Sequence, residues 1–251
     1  LAGTFSAHRA LACTGITLHT ANNYPVTART IEWAATPLHA MYVIVPRGQQ
    51  QRSFLPDGTL AGKTFTAKYG YVGISVENDA FVMEGINEAG LGVGLFYFPQ
   101  YGEYQPYDPQ KKEQSVSDMQ LAAWILSSFA SINELQAAMP QIRVIATDPR
   151  ASTVHWRITE SSGRQVVLEI VNQHVHFYEN PLGVLTNSPD FGWHLTNLNN
   201  YVNLSAGSIN HRQVGRLNLN AFGGGSGLHG LPGDMTPPSR FIRAAFFQST
   251  A

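Results

Sequence analysis

Ala10-Leu11-Ala12-Cys13-Thr14-Gly15-Ile16-Thr17 holds the only cysteine of the 251 residues and sets it at the head of a strand-like run. A lone cysteine forms no disulfide within its own chain, and free cysteine commonly packs as a small buried hydrophobe. Neighbouring features point to chemistry as the alternative. Ala10 and Ala12 give the A-x-A pattern of a signal-peptidase site, so one cleavage would leave Cys13 with a free α-amine. After the turn-like Ala21-Asn22-Asn23-Tyr24-Pro25, the run Ala28-Arg29-Thr30-Ile31-Glu32-Trp33 reads as the return strand of a hairpin. That return brings a cation and a carboxylate toward the thiol. An N-terminal cysteine is a catalytic unit in outline: the thiol is the nucleophile, and an α-amine of pKa about 7.7–8.0 is a base near neutral pH. Arg29 fits this scheme by favouring thiolate over thiol, and equally fits an ordinary surface arginine on a hairpin.

Working outward, Met41–Pro46 is a compact apolar run with the β-branching of a buried strand. Thr64–Tyr69, Tyr71–Val76 and Phe81–Gly85 follow as strands, and Asn87-Glu88-Ala89-Gly90 reads as a hairpin turn feeding Leu91–Phe98. Ser117-Asp118-Met119-Gln120 and Ser131-Ile132-Asn133-Glu134 match capping boxes, predicting helices over Leu121–Leu126 and Leu135–Met139, the second stopped by Pro140. Strands resume at Val154–Thr159, Gln165–Ile170 and His174–Tyr178. Leu198–Asn203 is expected to form a short helix. Residues 223–233 are glycine-rich, either a flexible linker or a loop that shapes a site. Strand, helix and strand blocks in this order suit a layered α+β domain, with no internal repeat and no domain boundary.

Composition narrows the function classes. With 43% hydrophobic residues, 13% charged residues and a formal net charge of −1, the chain reads as a globular domain able to bury a large core. Near neutrality argues against a nucleic-acid partner, and no run of like charge suggests a membrane patch. Small organic substrates fit better. No apolar stretch is long enough for a transmembrane helix. Leu1–Ala12 reads as a signal-peptide remnant or a short pro-segment; a lipoprotein cysteine is the weaker alternative, because Ala10 stands where an aliphatic residue is wanted. His174 and His176 share a strand face at period two, but two histidines without a third ligand do not make a metal site.

Cys13-Thr14-Gly15 with Arg29-Thr30-Ile31-Glu32-Trp33 resembles the opening of the choloylglycine hydrolase and penicillin V acylase family, N-terminal-nucleophile amidases, on its Gram-negative side. Further matches follow in family order: Asn87–Leu91, Phe96-Tyr97-Phe98-Pro99, Leu185-Thr186-Asn187-Ser188-Pro189-Asp190-Phe191, and Gly230–Asp234 with Pro238-Ser239-Arg240-Phe241. The resemblance implies an αββα four-layer sandwich over residues 13–251 and an amidase that needs no cofactor and no metal.

It also implies roles. Cys13 is the expected nucleophile, with the Asn187 side chain and the Tyr97 backbone N–H as oxyanion donors. Arg29 and Arg240 lie near the nucleophile. Glu32 stands where the family usually has aspartate holding the α-amine, so its reach differs by one methylene. Trp33 and Phe96 are the expected substrate contacts. Family substrates are penicillin V, conjugated bile acids and N-acyl homoserine lactones. Tyr97 and Trp33 favour the penicillin V acylase type, with aromatic or fatty acyl groups, over the bile-salt type. A periplasmic homotetramer is implied, and so are further strands beyond the Ser239-Arg240-Phe241 block. From another class, the rival is a non-catalytic periplasmic binding protein on the same fold.

Overall fold

The computed structural model describes residues 13–32, 38–208 and 210–250. In chain order, the first strands are β1 (Cys13–His19), β2 (Pro25–Ile31), β3 (Ala40–Val45), β4 (Gln50–Arg52), β5 (Thr64–Thr66), β6 (Tyr71–Val76), β7 (Asn78–Asn87), β8 (Gly92–Tyr97) and β9 (Ser115–Ser117). Helices α1 (Leu121–Ser128) and α2 (Ile132–Ala138) come next. They are followed by β10 (Arg143–Ile145), β11 (Val154–Thr159), β12 (Gln165–Val171), β13 (His174–Glu179) and α3 (Phe191–Asn197). The chain then runs through β14 (His211–Val214) and β15 (Leu217–Asn220) to α4 (Pro237–Thr250).

Strand alternation builds the central layer, a seven-stranded antiparallel sheet in the order β13-β12-β11-β8-β7-β6-β3. Trp156, Ile158, Val166, Leu168 and Ile170 pack in one apolar cluster with α1 and α2. By the two-residue period, His155, Arg157, Val167 and Glu169 point to the other face. There the β1–β2 hairpin forms a second strand layer, registered from Cys13↔Ile31 to His19↔Pro25. α3 lies on the same side, and α4 packs against β1 and α3. The layers therefore run helix, sheet, strand hairpin, helix, as expected.

Close approach of the two strand layers requires glycine at position 15. A Cβ there would come within 2.7 Å of Phe96 Cζ and 2.8 Å of Arg157 Nη1. Only a residue without that atom lets β1 sit directly on β8 and β11.

Two helix starts differ from the sequence reading. Ser131 Oγ does accept the Glu134 N–H at 3.2 Å, and the Glu134 carboxylate accepts the Ala130 N–H at 2.9 Å, a capping arrangement that reaches one residue further back. Ser117, by contrast, caps nothing. Its hydroxyl pairs with Thr147, Gln120 is drawn to the Phe54 N–H at 2.6 Å, and a 3-10 turn (Asp118–Gln120) precedes α1. The helix expected at Leu198–Asn203 begins earlier, at Phe191, because the Asp190 carboxylate caps the Trp193 N–H at 2.9 Å. Leu198–Tyr201 is only its 3-10 continuation.

Candidate active site

Cys13 sits at the first position of β1 and is 5% exposed. On the side of β1 away from β2, Gly15 exchanges two backbone hydrogen bonds with Leu185: Gly15 N–H to Leu185 O at 2.7 Å and Leu185 N–H to Gly15 O at 3.0 Å. That antiparallel bridge places Asn187 opposite Cys13. The Cys13 N–H accordingly donates to Asn187 Oδ1 at 3.0 Å.

Arg240, on α4, joins the same atoms. It donates through Nη2 to Asn187 Oδ1 at 2.8 Å, and through Nη1 to Cys13 O at 2.5 Å and Thr14 Oγ1 at 2.7 Å. Burial holds its guanidinium below its ordinary value, with Glu32 and Cys13 acting in the opposite sense. Two donors on Oδ1 fix which way the Asn187 amide faces, leaving Nδ2 to donate. One Nδ2 hydrogen goes to Tyr97 O at 2.7 Å. The second points to no partner that the described hydrogen bonds provide.

Tyr97 is accessible to Asn187 because β7 and β8 part company. Their ladder ends at Glu84↔Gly94. Into the split comes Arg29, whose Nη1 donates to Met83 O at 3.2 Å and to Leu95 O. On the other side of β8, the Phe98 N–H donates to Thr153 O at 2.9 Å. The alternation of an antiparallel ladder then turns the N–H and C=O of Tyr97 away from β11 and into the split, on the side where Asn187 stands. The Tyr97 hydroxyl lies elsewhere, bonded to Ser152 Oγ at 2.8 Å.

The structure thus brings together Cys13, Asn187, Arg240 and the backbone of Tyr97, while Glu32 is exposed just past β2 and acts on Arg240 only through its charge. Arg29 shares the Cys13 face of the hairpin through the Gly15↔Arg29 pair, and its guanidinium lies 4.1 Å over the Phe96 ring. Phe96 corrects the expectation of a substrate contact. It is fully buried under Gly15, with the Arg157 guanidinium 5.6 Å from its ring, so it packs the two strand layers together. Trp33 and Leu1–Ala12 lie outside the described residues. The glycine-rich loop is tied to α4 by Arg243 Nη1 to Pro232 O at 2.8 Å. His174 and His176 are exposed on β13, and no metal-holding cluster occurs among the described residues.

Both the sequence and the layered fold have counterparts among known proteins. The sequence model described as linear amide C–N hydrolases, choloylglycine hydrolase family, matches residues 13–251. The chain belongs to this family. The bile salt hydrolase/transferase of Clostridium perfringens is 33% identical over 242 residues, covering 94% of this chain and 71% of that protein. The bile salt hydrolase/transferase of Lactiplantibacillus plantarum is 30% identical, covering 93% and 70%. The penicillin V acylase of Pectobacterium atrosepticum is 27% identical, covering 97% and 61%. Among solved structures, a mutant conjugated bile acid hydrolase from Clostridium perfringens superposes with a TM-score of 0.83 at 32% identity, covering 95% of this chain and 72% of that one. The penicillin V acylase of Agrobacterium tumefaciens shares the fold, with a TM-score of 0.71 at 23% identity over 95% of this chain and 65% of that one.

In this choloylglycine hydrolase-family chain, several polar residues around the site escaped the sequence reading. Glu84 carries two arginines, Arg157 Nη2 at 3.0 Å and Arg29 Nη1 at 3.6 Å. Gly94 has no Cβ, and one would collide with the Glu84 carboxylate. Arg157, 1% exposed, also donates to Ile16 O at 3.1 Å, tying the hairpin to the sheet. Burial lowers its pKa, while Glu84 opposes that shift. Neither Glu84 nor Arg157 carries a motif; each is a polar position on a strand.

Proposed function

We propose that the protein hydrolyses a C–N amide bond with Cys13 as nucleophile after residues 1–12 are removed. The carrying observation is the Cys13 nitrogen at 3.0 Å from Asn187 Oδ1, beside a Tyr97 N–H turned into the same gap. Cleavage before Cys13 would turn that nitrogen from an amide into an amine able to accept the thiol proton. Arg240 beside it disfavours the ammonium form, which keeps the amine available as a base. Thiolate attack on the substrate carbonyl gives a tetrahedral oxyanion, received by the free Asn187 Nδ2–H and the Tyr97 N–H. Collapse releases the amine, and water then hydrolyses the thioester. Ala10 and Ala12 support maturation during export to the periplasm.

For the substrate, the bile salt hydrolase/transferases of 33% and 30% identity support a bile salt, and the solved conjugated bile acid hydrolase of 32% identity supports a conjugated one. Penicillin V or a related acyl amide is the second reading, supported by tyrosine at position 97. The test compares protein retaining residues 1–12 with protein beginning at Cys13 and its Cys13→Ala variant, on a taurine-conjugated bile salt and on penicillin V. Turnover is expected only from the processed protein with its cysteine. Asn187→Ala should lower kcat by about 10²–10³ with little change in KM. Equal turnover by a verified unprocessed chain overturns the N-terminal-amine mechanism.

A further inference from the structure

Every backbone carbonyl from Val184 to Asn187 is engaged. Val184 O takes Asn180 Nδ2 at 3.1 Å, and Leu185 O takes the Gly15 N–H at 2.7 Å. Thr186 O faces His155 Nε2 at 3.3 Å, and Asn187 O faces His194 Nε2 at 2.8 Å. Both histidines are fully buried.

One carboxylate organises the two. Glu169, also fully buried, meets His155 Nδ1 at 2.8 Å and accepts the Phe191 N–H at 3.1 Å. Phe191 opens α3, and the same helix delivers His194 to Asn187. The His194 ring stacks on Phe241, centroids 4.6 Å apart and planes at 15°. Its Nε2 faces a carbonyl and must carry the hydrogen, and its Nδ1 has no hydrogen-bond partner.

We propose that His194 is a positioning residue for amide hydrolysis: its Nε2–H, delivered by a helix anchored on Glu169, fixes the Asn187 backbone and so aims the Asn187 amide at the oxyanion. This rests on the amidase reading above. The amide has little other latitude, since Oδ1 is held by Cys13 and Arg240 and Nδ2 by Tyr97 O. Rotation of the Asn187 backbone would break all of these together. A donor displaced by about 1 Å costs on the order of 10²-fold in rate without altering ground-state contacts far from it.

The experiment uses protein beginning at Cys13, with a taurine-conjugated bile salt and penicillin V as substrates. His194→Phe keeps the ring stack and loses the N–H, whereas His194→Gln can restore a donor. The expected result is kcat lower by about 10- to 100-fold in His194→Phe with KM within about twofold, and recovery of most of that loss in His194→Gln. A His194→Phe kcat within about twofold of wild type, or an equal loss in His194→Gln, overturns the proposal. Crystal structures of both variants give a readout free of turnover. Displacement of the Asn187 amide from Tyr97 O in His194→Phe supports the role, and an unmoved amide overturns it. If His194→Phe does not fold, His194→Met takes its place. If wild-type protein hydrolyses neither amide, the functional reading fails and the crystallographic comparison still decides the positioning role.

Discussion

The two ends of the β1–β2 hairpin rest on the same sheet in opposite ways. At the Cys13 end, Gly15 lies too close to Phe96 and Arg157 for a Cβ, and the hairpin carbonyl of Ile16 is taken by Arg157. At the turn end, Leu18, Tyr24 and Val26 are exposed, and an open cavity of about 470 Å³ lies between Tyr24 and Thr27 on the hairpin and Tyr42, Ile74 and Ile86 on the sheet. The contrast teaches that layer packing here is not uniform. Around Cys13, buried polar groups with fixed directions hold the chain; toward the turn, contact is partial, apolar and non-directional.

Breaking the polar end should therefore have the largest effect. Glu169→Ala removes the partner of His155 and the acceptor of the Phe191 N–H, leaving buried groups unpaired. We expect a loss of about 3–5 kcal/mol in urea unfolding. A loss under about 1 kcal/mol would mean that this end is no more tightly determined than an exposed ion pair.

pH sharpens the same contrast. Burial, the largest influence, lowers the His194 pKa from 6.5 to about 4, with the Asn187 carbonyl and Asp190 opposing and His155 and Arg240 assisting. Above about pH 6.5 the ring is neutral in folded and unfolded chains alike, and stability does not depend on it. Between that value and about 4 only the unfolded chain takes up the proton. Stability should thus fall with pH across this window, in total on the order of 3 kcal/mol, and level off below it. Urea unfolding over a pH series checks the slope, and His194→Phe should remove this group's share of it.

The smallest effects compare the two ends directly. Gly15→Ala should destabilise by about 1–3 kcal/mol through overpacking against Phe96 and Arg157. Val26→Ala, at a position 49% exposed near the turn, should stay within about 0.5 kcal/mol. Similar thermal shifts in the two variants would erase the distinction.

Much of the scaffold was legible in the chain. Tyr71–Val76 and Val154–Thr159 form strands over the residues their β-branching marked, and Cys13 heads the strand whose hairpin partner carries Arg29. Ser131 caps α2 because its hydroxyl has a free N–H three residues on; Ser117 has the same local pattern and is claimed by Thr147 from a distant segment. The Leu217–Asn220 hairpin with His211–Val214 was not foreseen, since its leucines lie in an asparagine-rich run and remain exposed. Phe96 matched a family block, but no local signal said that its ring would lie under Gly15 rather than toward a substrate.

By itself the sequence determined what depends on neighbours along the chain: strand period, turn residues, helix caps, and a lone cysteine that one cleavage could expose. Tertiary structure decided which face of each strand meets solvent. On β11 and β12, His155, Arg157 and Glu169 are the polar half of an alternating pattern, and they are 0%, 1% and 0% exposed. The physical reason is that alternation records only that two faces differ. A second layer of strands and α3 buries the polar one, and burial without water compels each group to find a partner. Those partners, the carbonyls of Ile16 and Thr186 and the N–H of Phe191, belong to segments far away in the chain, and they hold Asn187 beside Cys13.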